Sequence, residues 1–277
     1  MLLGIFLTVS ALSAAGICFG ADAFDSLQWI WILPVSFAGT FLALVLVLFL
    51  VLLVMSALVK MDEPQETDSP FYRAVIMELV KFLIPILRVR LHMQGLEQTP
   101  KDGRFLLVCN HLYDIDPVVL MMGFPKSQLA FISKRENDAK FLVGPFLHKI
   151  MCQAINREND REALKTILNC IDIIKQDKAS IGVFPEGYIY DDRLLHPFRY
   201  GVFKIALRTK VPVVVCTLRN THMLMSNIKK LKPTDIHMHL VGVVQPEEMD
   251  GMTAVQLGER VHRMMAEDLG SDLVLQL

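Results

Sequence analysis

The first 59 residues carry only two charged side chains, Asp22 and Asp25, and not one Lys or Arg. No other feature limits the fold as strongly, because so long a stretch without a polar stripe has no face to offer water. It also accounts for the composition: 53% of the 277 residues are hydrophobic and the mean hydropathy is +0.41, too apolar for a chain that lives wholly in water. The same figures exclude a disordered or collagen-like chain. A net charge of −1 argues against a uniformly basic nucleic-acid binder, and no nucleic-acid partner is expected.

Two apolar runs flank the pair of acids. Met1 to Gly20 is just long enough, at about 1.5 Å per residue, to cross a hydrocarbon core of about 30 Å. A cleaved signal peptide is the competing reading. Against it, the start has no Lys or Arg to form a positive n-region, and a longer apolar run follows at once. That second run, Leu27 to Val59, has Pro34 and Gly39 near its start and no charged side chain, which reads as a transmembrane helix. Trp29 and Trp31 stand where such a helix meets the headgroup layer. Lys60, the first basic residue, lies just beyond it. The positive-inside bias therefore predicts an integral cell-membrane protein, with residues 1–60 as a two-helix anchor, the acidic loop outside and the rest of the chain on the cytoplasmic face.

Residues 61 to 70 (MDEPQETDSP) read as a linker. From Phe71 to Arg90, apolar Phe71, Val75, Leu79, Phe82 and Ile86 recur at helical spacing beside Arg73, Lys81, Arg88 and Arg90. This predicts an amphipathic helix, for which two placements stay open: in the membrane interface, or packed on the globular domain. Pro85 ends or kinks it either way. Residues 91–277 alternate β-like runs with helical stretches, which predicts an α/β domain with a mostly parallel sheet and flanking helices. The expected strands are Arg104–Cys109, Ala179–Phe184, Val211–Thr217 and Ile236–Val244, with helices over Arg161–Gln176 and Val255–Asp268. The five cysteines, Cys18, Cys109, Cys152, Cys170 and Cys216, are scattered without a CxxC, so neither a zinc knuckle nor a disulfide framework is expected. His237 and His239 share a strand face but lack a visible third ligand, and no metal is expected there.

The chemistry begins where the strand Arg104–Cys109 runs out into Asn110-His111-Leu112-Tyr113-Asp114-Ile115-Asp116-Pro117. Polar groups at the C-terminal end of a buried parallel strand occupy the usual site position of open α/β sheets. A histidine there can take a proton from an alcohol, provided that a carboxylate fixes its tautomer and stabilises the imidazolium. Asp116, five residues on, supplies that carboxylate only if the chain turns between them, since five helical steps of about 100° separate the two side chains. Asp114 is a rival orienter. On the bland reading, Asn110 and Asp114 are turn or cap residues and His111 is incidental.

A second strand ends as Val183-Phe184-Pro185-Glu186-Gly187-Tyr188, a carboxylate in a glycine turn. Joined to Asn-His-x4-Asp about 75 residues earlier, it makes the chain resemble the phospholipid/glycerol acyltransferase family, especially 1-acyl-glycerol-3-phosphate acyltransferases. The resemblance covers roughly Leu91 to Thr217. Ile132-Ser133-Lys134-Arg135, Gly144-Pro145-Phe146 and Ile155-Asn156-Arg157 are similar to the family's acceptor-binding block. Pro197-Phe198-Arg199-Tyr200-Gly201 is similar to its Pro-Phe-Lys-x-Gly, and Val211-Pro212-Val213-Val214 to its Val-Pro-apolar-apolar.

The resemblance implies that His111 and Asp116 are catalytic. His111 would deprotonate a lysophospholipid hydroxyl, Asp116 would orient it, and the alkoxide would attack an acyl thioester directly. It further implies that Lys134, Arg157, Phe184, Pro185, Glu186, Gly187 and Arg199 bind substrate, that acyl-CoA or acyl-carrier protein is the donor, and that no cofactor is needed. One departure concerns the acceptor. The family's Glu-Gly-Thr-Arg stands here as Glu186-Gly187-Tyr188-Ile189, without the anion-binding Arg. Either Arg157, Arg193 or Arg199 takes over that charge, or the acceptor is another lysolipid or a molecule without a phosphate monoester. Nine Lys or Arg and no Asp or Glu lie between Arg193 and Thr234, a block that attracts membrane lipid headgroups or an anionic donor. Two other classes remain beside this one. Cys109, two residues before His111, suggests a thiol hydrolase, and a noncatalytic scaffold would explain the anchor but would have no need of His111, Asp116 and Glu186 together.

Overall fold

The computed structural model describes residues 1–275. Both apolar runs form helices, α1 (Leu2–Gly20) and α2 (Trp29–Ala57), each long and apolar enough to cross a membrane. They pack as a hairpin along one stripe of α1, where Phe6, Ser10, Ala14 and Cys18 recur every fourth residue and are buried. Ser, Ala and Cys are small enough to let two helix backbones approach closely in a setting where lipid supplies no hydrophobic drive between them. Thr40 donates to Ser13 across the pair (3.2 Å).

The next helix, α3 (Pro70–Ile86), starts where Ser69 accepts from the Tyr72 amide and Pro70 takes the first helical position. It ends one residue after Pro85, so the helix expected to reach Arg90 stops short and Val89 opens a strand instead. Tyr72, Ile76 and Met77 pack on the sheet, and the Tyr72 hydroxyl donates to the Met55 carbonyl near the end of α2 (3.1 Å). Phe82 meets Phe6 of α1 edge to face at 5.3 Å. Phe71, Leu83 and Ile86 stay exposed on the outer flank. This helix therefore couples the hairpin to the domain while leaving an apolar side bare.

The strands are β1 (Val89–Gln94), β2 (Leu106–Cys109), β3 (Leu129–Lys134), β4 (Gln153–Ile155), β5 (Ser180–Val183), β6 (Val213–Arg219) and β7 (Thr234–Val244). They form one sheet in the order β1-β7-β6-β2-β5-β3-β4, parallel except between β6 and β7. The four expected strands are present as β2, β5, β6 and β7, whereas β1, β3 and β4 were not among those read from the sequence. The central strand β2 is buried at all four positions, as a strand covered on both faces must be. Leu106 and Val108 face one core with α6 (Asp160–Lys175), α7 (Lys204–Thr209) and α9 (Ala254–Leu269). Leu107 and Cys109 face the other, with α3, α4 (Asp116–Gly123) and α5 (Val143–Lys149). The C-terminal ends of β2 and β5 lie side by side, so the two sequence motifs meet at one edge of the sheet.

Candidate active site

At the end of β2, Asn110 turns its side chain onto β6. Its Oδ1 accepts the Leu218 amide (2.8 Å) and its Nδ2 donates to the Leu218 carbonyl (3.0 Å), so the side-chain amide continues the ladder where the β2 backbone leaves it. The chain then folds into the turn that the five-residue spacing demands. Asp116 opens α4 in full burial, and its Oδ2 accepts His111 Nδ1 (2.8 Å) together with the Leu112 (2.6 Å) and Tyr113 (2.8 Å) amides. The rival Asp114 makes no bond to the ring and lies on a cavity wall. With Nδ1–H donated to the carboxylate, Nε2 is the ring's free basic nitrogen.

The ring plane of His111 is held by stacking. His111 lies on Phe184 (centroids 4.1 Å, 16°) and Phe184 lies on Phe131 (6.0 Å, 14°). The stack depends on Gly182 in β5, where a Cβ would come within 2.4 Å of the Phe131 ring. An isolated glycine in a strand signals such a close approach, and that signal was present in the sequence.

Glu186 is placed differently from expectation. Its Oε1 accepts the His111 amide (2.8 Å) and its Oε2 the His196 amide (3.0 Å), tying the His111–Asp116 turn to the loop that follows β5. Both oxygens are taken by backbone donors and the residue is only 2% exposed, the geometry of a contact that positions the two loops. Burial pushes its carboxyl up to about 7 despite those two bonds. Arg193 does not line the cavity that holds His111. It donates to the Leu112 carbonyl (3.0 Å) and lines a separate cavity of about 500 Å³. In that cavity His239 is paired with Asp268 (2.6 Å), while His237 stacks on His92.

The remaining expected residues converge. Lys134, Arg157, Phe184, Pro185, Gly187 and Arg199 line one cavity of about 1030 Å³ with His111. Apolar Val118, Ile155, Leu164, Ile167 and Ile189 also line it. Gly187 has φ +80°, and a Cβ there would sit 3.0 Å from the Arg199 side chain, so glycine serves both the turn and the guanidinium. Arg157 and Arg199 each lie over the Tyr188 ring, at 5.0 and 5.1 Å, and neither is in an ion pair among the described residues. Burial holds the Arg157 guanidinium below its ordinary pKa, and its Nη1 is buried with no protein partner. Two guanidiniums thus share one aromatic ring with no carboxylate at ion-pairing distance, although Glu136 lines the same cavity and acts on Arg157 from farther off. Tyr188 was not singled out from the sequence. The thiol of Cys109 is fully buried in the core, and burial drives its pKa well above the ordinary thiol value, so it supplies no thiolate.

Residues 90–219 match the family model described as Acyltransferase. The chain is 30% identical over 208 residues to the probable 1-acyl-sn-glycerol-3-phosphate acyltransferase of Mycoplasma pneumoniae, covering 70% of this chain and 76% of that protein. It is 25% identical over 169 residues to the 1-acyl-sn-glycerol-3-phosphate acyltransferase of Cocos nucifera, of which it spans about half (54%), and 61% of this chain is matched. Among solved structures, the 1-acyl-sn-glycerophosphate (LPA) acyltransferase of Thermotoga maritima shares the fold, with a TM-score of 0.58 at 22% identity over 71% of this chain and 78% of that one.

Proposed function

Because the chain belongs to the acyltransferase family, we propose that it moves a fatty acyl group from a thioester donor to the free hydroxyl of 1-acyl-glycerol-3-phosphate, giving phosphatidic acid. The observation that carries this reading is the pairing of a carboxylate-oriented His111 with two guanidiniums that make no ion pair among the described residues, all in one cavity. His111 Nε2 takes the proton of the acceptor hydroxyl, and Asp116 steadies the imidazolium that forms. The alkoxide oxygen adds to the thioester carbonyl. Collapse of the tetrahedral adduct breaks the carbon–sulfur bond, and the imidazolium returns its proton to the departing thiolate of coenzyme A or a carrier protein. No covalent acyl-enzyme is required, which agrees with the inert setting of Cys109.

The acceptor phosphate sits between Arg157 and Arg199, which replace the charge absent at Ile189, while Lys134 attracts it at the cavity wall. The acyl chains lie along the apolar part of the cavity lining, toward the bilayer. The domain faces the cytoplasm, on the vote of Lys60 against an uncharged α2. The test is an acceptor panel with purified protein in detergent. Lysophosphatidate is acylated in preference to lysophosphatidylcholine, and Arg199→Ala raises the KM for lysophosphatidate roughly 10- to 100-fold, the loss of one charge-assisted contact. A preference for the zwitterionic or uncharged acceptor would tie Ile189 to a different lysolipid and overturn the phosphate assignment.

A further inference from the structure

The structure divides the basic block. Arg199 lines the cavity with His111 and Arg193 binds the Leu112 carbonyl, but Lys229, Lys230 and Lys232 project from the end of α8 (Leu224–Lys229) with no ion pair among the described residues. Apolar side chains stand among them in the open: Met223 and Met225 are exposed, and Leu231 is 80% exposed. Leu231 also has φ +53°, a left-handed conformation that glycine or asparagine adopts more readily. The bend is firmly built. The Leu231 amide donates to Ile228 O (3.0 Å), the Lys232 amide to Asn227 O (2.9 Å), and the Asn227 side chain holds Thr234 Oγ1 (3.2 Å). These backbone bonds hold the left-handed turn, and the turn presents a large apolar side chain to solvent.

The bend is joined to the membrane-side elements. Arg88, directly after α3, donates to the Leu231 carbonyl (2.6 Å), and its own carbonyl accepts the Thr234 amide (3.1 Å). On α3 itself, Leu83 and Ile86 are exposed, and Phe82 packs on α1. Asp235, the acidic group next to the bend, is engaged by Arg90 and His92.

We propose that Met223–Lys232 is a bilayer-docking surface continuous with α3, in which Lys229, Lys230 and Lys232 take anionic phospholipid headgroups while Met225 and Leu231 enter the headgroup layer. Exposed leucine and methionine between lysines favour a lipid surface over an acidic protein, which would need only the charges. This surface is independent of the reaction assigned to His111.

Leu231→Trp in a full-length chain whose own two tryptophans are changed (Trp29→Phe, Trp31→Phe) reads the surface directly. The protein is reconstituted in phosphatidylcholine vesicles, or in equal mixtures of phosphatidylcholine and phosphatidylglycerol, with brominated acyl chains as quenchers. In the mixed vesicles the introduced indole emission shifts to the blue and is quenched, and both effects are lost with Lys229→Glu, Lys230→Glu and Lys232→Glu together. An indole that stays in water in both lipids overturns the proposal. So does quenching that is indifferent to phosphatidylglycerol and to the lysines, or a shift that appears only when an acidic acyl-carrier protein is added.

Discussion

One oxygen of Asp116 receives three N–H groups, and this sets what the residue can be exchanged for. Asn fills the same volume and keeps one oxygen for the three N–H groups, but it has no negative charge to steady an imidazolium and puts an NH2 at the buried position of Oδ1, which has no partner to receive it. Asp116→Asn is expected to lower kcat by about 10³-fold with KM nearly unchanged, read from steady-state kinetics. Glu186 makes a different prediction. Burial raises its carboxyl to about 7, above its ordinary 4.5, so the folded state holds more protons than the unfolded one between those values and stability falls as pH rises through that window. Glu186→Gln cannot titrate. Its Tm relative to wild type therefore improves from about pH 4.5 to about pH 7 and is flat above, on top of a constant loss for one missing acceptor. His111 and Asp116 were legible because a strand end and a five-residue spacing are local facts. The places of Glu186 and Tyr188 were not, because amides and guanidiniums 10 to 75 residues away decide them.

Among the elements, the expected strands β2, β5 and β6 are buried at nearly every position and have continuous apolar runs, while β7 was readable by its length of 11 residues, although it alternates buried and more open positions. Of the missed ones, β3 is buried over Leu129–Phe131 but opens toward solvent by Lys134. β4 is three residues long, and β1 alternates half-buried and exposed positions immediately after an amphipathic helix whose basic residues run into it. The pattern of α3 left two placements open, and the helix meets the domain with one side and α1 with another. The site depends on an element-level fit as well, since β5 must come close enough to β3 for Phe131 to cross Gly182 and carry Phe184 and His111 above it. Gly182→Ala would push that stack outward. The expected result is a loss of about 1–3 kcal/mol in thermal unfolding, and a fall in kcat larger than the stability loss explains at assay temperature.

At the scale of the whole molecule, a near-zero net charge and a high hydropathy are averages over two objects: a hairpin of residues 1–59 with two acids, and an α/β domain that holds all 28 Lys and Arg. They are joined through α3, so the cavity with His111 belongs to a domain tied to the two membrane-length helices. That arrangement suits a reaction in which one product and one substrate are lipids while the donor's leaving thiol is water-soluble. In the proposed reaction His111, unaided by Cys109, drives direct transfer. Purified full-length protein is given labelled acyl-CoA or acyl-carrier protein with lysophosphatidate, and labelled phosphatidic acid is counted for wild type, His111→Ala and Cys109→Ala. Product from wild type and Cys109→Ala, with none above background from His111→Ala, is the expected outcome; turnover retained in His111→Ala would contradict the account.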